Sequence, residues 1–196
     1  EAVTTTGVSI IKFSSRMGNQ YYNNILGDKD DHCIYIDTDS VFYSALPIVE
    51  KTMPEVDITN DEEMSNGILK VADDVQRFLN KSYDVMAKKF YNIEEHRFDI
   101  KQEVIAKRGV WLAKKRYAQW IINNNGVACD ELEVKGLDVV RSSFPTRFRA
   151  FMTEILKDIL QDEEKEIIDE KILTLKKKIK NESADDIAKT SAVKNI

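Results

Sequence analysis

The sequence predicts an α+β fold, an antiparallel sheet with packed helices followed by an all-helical region. Three observations lead there. Residues 4–26 and 61–91 repeat apolar side chains at helical spacing. Short β-rich runs between and after them are joined by hairpin signals. Beyond about residue 140 only helical periodicity is left.

The first helix opens on Thr4-Thr5-Thr6, carries Val8, Ile11, Met17, Tyr21 and Ile25, and stops at Gly27. Residues 32–36 and 41–45 are β-rich and flank Asp37-Thr38-Asp39-Ser40, a hairpin pattern. Pro47 and Pro54 mark a loop. The long helix over 61–91 aligns Met64, Ile68, Val71, Val75, Phe78, Leu79, Val85, Met86 and Phe90. Extended segments are expected at 96–106, 110–122 and 127–134, with Asn123-Asn124-Asn125-Gly126 turning the chain between the last two. After Pro145, the series Phe148, Phe151, Met152, Ile155, Leu156, Ile159 predicts one helix. Ile167, Ile168, Ile172, Leu175 and Ile179 predict another. No internal repeat is present.

With 196 residues and 42% hydrophobic content, the chain can fill one large core or two small ones. Three prolines and seven glycines argue against low complexity. No apolar run reaches the roughly 18 residues of a membrane helix. Glu1 at the start and Lys194-Asn195-Ile196 at the end give both termini the look of cuts from a longer chain. Two cysteines are too few for a disulfide framework or a zinc site, and Cys33, in an apolar run, fits a reduced, buried thiol. The net charge of −5 does not advertise a nucleic-acid binder. Binding depends on local clustering, however. Lys101, Lys107, Arg108, Lys114, Lys115 and Arg116 fall between residues 101 and 117 against the single acid Glu103.

Two segments carry candidate chemistry. In Ile34-Tyr35-Ile36-Asp37-Thr38-Asp39-Ser40-Val41-Phe42, apolar residues lead into two carboxylates two positions apart. In an extended strand such positions share a face. Two carboxylates about 4 Å apart would repel by about 4 kcal/mol at an effective dielectric of about 20. A hard divalent cation relieves that repulsion; a solvated turn, where Asp and Ser are common, explains the letters equally well. An EF-hand loop fails, because Phe42 or Cys33 occupies the required glycine position. A haloacid-dehalogenase-type phosphatase also starts with Asp-x-Asp after a strand. It calls for helix–strand alternation and a later strand-end acidic pair, whereas Asp73-Asp74 and Asp185-Asp186 lie in helical patterns. The second segment, Val110-Trp111-Leu112-Ala113-Lys114-Lys115-Arg116-Tyr117-Ala118, sets three cations inside a β-patterned stretch. Phosphates lying against it would explain them, as would an edge strand guarded by charge. His32 and His96 read as structural, Trp111 and Trp120 as core, and Lys176-Lys177-Lys178-Ile179-Lys180 as a solvated helix face.

These segments together resemble family B DNA polymerases. Tyr35-Ile36-Asp37-Thr38-Asp39-Ser40 resembles the Tyr-Gly-Asp-Thr-Asp-Ser signature, motif C, with Ile36 where glycine is usual. Lys114-Lys115-Arg116-Tyr117 resembles the downstream Lys-x-Tyr motif, and the run from Lys135 to Pro145 resembles the palm-to-thumb junction. Thr4-Thr5-Thr6-Gly7 resembles the start of the helix before motif C. The order is that of the family, and tailed-phage replicative polymerases are the nearest in flavour.

The resemblance implies a partial palm domain over residues 1–140 and a partial thumb over 141–196. It implies catalytic, metal-binding aspartates in Asp37 and Asp39, with Glu103 as a supporting acid. It implies DNA contacts from Thr38, Lys114, Lys115, Arg116, Tyr117 and Arg141. The implied cofactor is Mg²⁺, two ions in a complete enzyme. The implied partners are primer–template DNA, deoxynucleoside triphosphates and an upstream polymerase half, with no membrane and a location in the host cytoplasm. The family's motifs A and B are not in the sequence, so the expectation is a fragment inactive by itself. A non-catalytic duplex-DNA-binding module of polymerase shape is the alternative, with the phosphatase behind it.

Overall fold

The computed structural model describes residues 2–183 and 187–188. Asp185-Asp186 and Lys194-Asn195-Ile196 lie outside the described residues. The fold is α+β, and the chain forms two compact units. One runs up to Ile105 and includes Ile122–Cys129; the other comprises Ala106–Ile121 and the chain from Asp130 onward.

The first unit is organised by two long helices, α1 (Ala2–Leu26) and α3 (Asp61–Tyr91). They run antiparallel: the Ser14 and Tyr83 hydroxyls lie 2.7 Å apart, and further along, Tyr21 and Phe78 rings are 5.2 Å apart. Between the helices come β1 (Cys33–Asp37), β2 (Ser40–Tyr43) and α2 (Leu46–Thr52). Tyr22, Ile48, Val49, Val71, Val75 and Leu79 form the core. The sequence expected a loop at Pro47. The proline instead sits in the first turn of α2, where its missing N–H has no intrahelical partner to lose. Lys51 of α2 donates to the Leu26 carbonyl at 2.6 Å, satisfying an orphan acceptor at the end of α1. Gly27, at φ +78°, turns the chain there as expected. Asn60 caps α3 by accepting from the Glu62 and Glu63 amides, and Asn92, at φ 51°, closes it. Asp73 and Asp74 lie within α3 and both pair with Arg77.

Residues 96–103, expected to be extended, carry no strand pairing. Side chains of α3 supply their partners. Gln76 accepts from the Gln102 amide, Asn80 accepts from the Ile100 amide and donates to its carbonyl, and Asp84 meets His96 Nε2 at 3.0 Å.

Pairing starts at β3 (Val104–Ala113), followed by β4 (Arg116–Asn124) and β5 (Val127–Lys135) in a three-stranded sheet of order β3-β4-β5. The β4–β5 turn is Asn125-Gly126 with φ of 50° and 83°, the two left-handed residues a two-residue hairpin asks for. In the second unit, Ala118 packs with Leu137, Val139 and Leu160, flanked by Val110, Trp120, Leu132, Val134, Met152 and Leu156. Leu137 precedes a 3₁₀ turn (Asp138–Val140), and Leu160 ends α4 (Thr146–Leu160). The last described helix, α5 (Lys165–Ile179), buries no residue fully. Its Lys171 bridges Glu154 (3.2 Å) and Asp158 (2.7 Å) of α4, which raises the lysine pKa. The lysines from 176 to 180 are exposed, as the sequence implied. The haloacid-dehalogenase alternative required alternating helices and strands; the strands here form two antiparallel groups instead.

Burial pushes the Tyr22 and Tyr43 hydroxyls well above the ordinary tyrosine range. The folded state therefore keeps both protons when the unfolded chain releases them near pH 10. That stabilising contribution is fully present below pH 10 and is lost as pH climbs above it. Urea midpoints measured from pH 8 to 11 should fall beyond pH 10, and the fall should be shallower in Tyr43→Phe.

Candidate functional site

A two-stranded hairpin is marginal by itself in water, and the β1–β2 hairpin is made rigid by α1. The Tyr43 hydroxyl donates to the Ser14 carbonyl at 2.8 Å. It passes over Gly18, where any Cβ would overlap the phenol. The next residue, Asn19, accepts from the His32 and Cys33 amides at 2.9 and 3.0 Å. Tyr22 stacks on Tyr43 and on His32, with centroids 5.3 and 5.4 Å apart. His32 contacts Asp28 at 3.0 Å, which holds the Asp28 carboxyl below its usual range. Both histidines are thus structural partners, as expected from the sequence. Cys33 is half-buried, and burial pushes its thiol pKa up.

The hairpin pairs Tyr35 with Phe42, Ile36 with Val41 and Asp37 with Ser40. Its turn is therefore Thr38-Asp39, with Thr38 in the left-handed region at φ 51°. Asp37 ends β1 half-buried, and Asp39 is exposed in the turn. Thr38 Oγ1 donates to Asp37 Oδ1 at 3.2 Å, and Ser40 Oγ donates to the Asp37 carbonyl at 3.1 Å. Two carboxylates within three residues of one turn are hard oxygen donors of the kind Mg²⁺ takes, one or two at a time. Among the described residues, no three acidic, histidine or cysteine side chains gather into a metal group. Glu103 thus does not join the two aspartates in one. It stands exposed just before β3, and its backbone carbonyl accepts from the Asn125 amide at 2.6 Å.

In the second unit, Lys114 and Lys115 do not lie inside a strand. They form the β3–β4 turn, with Lys115 at φ 60°, and Arg116 begins β4. The expectation of one strand over 110–122 fails because a turn needs no proline or glycine when a lysine takes the left-handed conformation. All three cations are exposed, whereas Tyr117 is 4% exposed. The Tyr117 ring stacks on Trp111 at 6.4 Å. Gly136, at φ 66°, abuts the turn; a Cβ there would overlap the Lys115 carbonyl. Arg141 is exposed and pairs with Asp138 at 3.1 Å. Trp120 is half-buried, its Nε1 donating to Asp130 at 2.6 Å.

The supporting residues Gly18, Asn19, Tyr43, Lys135 and Gly136 were not singled out as functional from the sequence. A glycine inside a helical pattern was the available signal for Gly18.

The family model for DNA polymerase family B matches residues 1–194. The chain belongs to DNA polymerase family B. It is 26% identical over 175 residues to the DNA-directed DNA polymerase of Escherichia phage RB69, covering 83% of this chain and 19% of that protein. It is 26% identical over 180 residues to the corresponding enzyme of Enterobacteria phage T4, covering 85% and 20%. This family B chain thus spans about a fifth of the length of the curated relatives it matches. Among its described residues, no helix is long and apolar enough to cross a membrane.

Gly18→Ala should force Tyr43 off α1 and destabilise the first unit by about 1–3 kcal/mol, the usual range for overpacking. Chemical denaturation, compared with Gly7→Ala, where the added methyl meets open space, measures it.

Proposed function

We propose that this chain supplies the motif C and primer–template-binding part of a family B DNA polymerase, with residues 1–140 in the palm and 141–196 in the thumb of its C-terminal portion. The observation that carries this is the Asp37-Thr38-Asp39 turn on a hairpin clamped to α1, in a chain matched by the family model almost end to end. Asp37 and Asp39 would hold Mg²⁺ together with a carboxylate contributed by an upstream polymerase half. The metal, when bound, supplies Lewis-acid stabilisation of charge developing on the reacting phosphoryl oxygens. The turn carries the two carboxylates two positions apart, and the Thr38 hydroxyl donates to that of Asp37. Thr38 lies where the primer terminus comes closest. Lys114, Lys115, Arg116 and Arg141 neutralise phosphates of the primer–template duplex. A contact from Tyr117 is limited to its polar edge, because the ring is buried. Deoxynucleoside triphosphates bind to the complete enzyme, in the host cytoplasm.

Duplex binding by the chain should weaken with salt by about 0.9 log units per log unit for each phosphate neutralised. The triple variant Lys114→Ala/Lys115→Ala/Arg116→Ala should lower affinity for unrelated sequences alike, since backbone contacts carry no sequence information. Fluorescence anisotropy across a salt series reads both.

Primer extension with Mg²⁺ and four deoxynucleotides should be absent with the chain alone. It should appear on adding an upstream half that carries motifs A and B, and should be lost again in Asp39→Asn. Removing a single charge stabiliser from an active site already costs about 10²–10³ in rate. Duplex binding without extension under every complementation would favour the non-catalytic module.

A further inference from the structure

One array near the Lys114–Arg116 turn is not accounted for by the contacts assigned above. Lys135, the last residue of β5, places its ammonium 5.5 Å from the Tyr117 ring centroid. The Tyr117 hydroxyl and the Glu133 carboxylate both hydrogen-bond it, the latter at 2.9 Å. Glu133 in turn accepts from the amide of Gln119, which is 1% exposed and two residues beyond Tyr117 on the same strand face. Trp111 stacks on the tyrosine ring. Gly136, the next residue after Lys135, abuts the Lys115 carbonyl. One short stretch, 133–136, therefore touches Gln119, Tyr117 and the backbone of the cationic turn.

We propose that Lys135 is a positioning residue: through Tyr117 and Glu133 it fixes the Lys114–Lys115–Arg116 turn for a duplex backbone, without itself contacting a phosphate. This deepens the polymerase reading and rests on it. The charge of Lys135 is already matched by Glu133, and two acceptors saturate much of its donor capacity. Those acceptors hold the lysine pKa above its ordinary value, so it stays charged throughout the neutral range. The three turn cations are exposed, and the backbone that carries them is strained at Lys115. A turn in a sparsely populated conformation persists only when its surroundings over-determine it. Gly136, against the Lys115 carbonyl, and Tyr117, next after Arg116, tie the turn to the 133–136 stretch.

The test is duplex binding by the full chain across a salt series, comparing Lys135→Met with Lys115→Met. Methionine keeps the aliphatic length and removes the charge. Lys135→Met should bind about tenfold more weakly at fixed salt, within the range of coupled contacts, with the slope of log Kd against log salt unchanged. Lys115→Met should lose about 0.9 of that slope. Glu133→Gln should weaken binding too, and the double variant Glu133→Gln/Lys135→Met should be no weaker than Lys135→Met alone. Lys135→Arg, which retains the charge and donors, should restore most of the affinity. Thermal melts identify any variant that fails to fold, and Glu133→Gln then serves as the second probe, with the same constant slope expected. A slope reduced by about 0.9 in Lys135→Met would make Lys135 a direct phosphate contact and overturn the proposal. Unchanged affinity, or additive losses in the double variant, would overturn it equally. A wild-type chain that binds no duplex at any salt would instead sink the polymerase reading itself, and this proposal with it.

Discussion

The contact of Tyr43 with Ser14 across Gly18 is the constraint on which the first unit depends. A nine-residue excursion from Tyr35 to Tyr43 has too little buried area to hold itself. Its position comes from α1, through one hydroxyl, one carboxamide and a stack of three rings. Helix α1 is fixed by α3, whose Tyr83 meets Ser14 from the other side. Ser14 thus presents its carbonyl to the hairpin and its hydroxyl to α3, so that the placement of Asp37 and Asp39 is inherited from the packing of two helices. Rigid elements hold a site more closely than loops do, and here the short turn borrows its rigidity.

The two candidate segments share a local solution. Each sets its chemistry on a tight turn with a non-glycine residue in the left-handed region, Thr38 in one and Lys115 in the other. Glycine would take either position without strain, but it has no hydroxyl for Asp37 and no cation to present. In each case the strain is matched by a neighbour lacking a side chain that would intrude on the supporting contact: Gly18 beneath Tyr43 and Gly136 beside Lys115.

Much of this was legible in the letters. Apolar spacing located α1, α3, α4 and α5 closely, because each helix lays a stripe on a core. Asn125-Gly126 specified its hairpin through backbone preference alone. The β1–β2 hairpin was visible from two β-rich runs around a polar turn. Three features were not. Proline in the first turn of α2 looks like a loop marker until the flanking Ile48 and Val49 are known to be buried. The β3–β4 turn has no glycine, proline or asparagine, so the cations read as strand residues. Residues 96–103 are extended, but the partners that hold them lie 12 to 26 positions earlier on a helix, where no periodicity in the segment itself can point. The half-buried place of Ile36 opposite Val41 does not explain why it departs from the glycine of the motif it resembles.

That last segment has a further consequence. Gln76, Asn80 and Asp84 are spaced one helical turn apart, about 6 Å along the axis. Two residues of extended chain advance about 6.6 Å. The helix therefore acts as a ruler with nearly the same graduation as the strand, and it reads residues 102 and 100 in step before Asp84 reaches the ring of His96. The next amide in step, that of Phe98, donates to His96 Nδ1 at 3.1 Å, so Asp84 meets the segment through that ring instead. The ruler also quantises the alignment: the segment can be re-seated on α3 only by whole turns against residue pairs. A single-residue insertion there has no neighbouring register to fall into, whereas in a surface loop it would simply be absorbed.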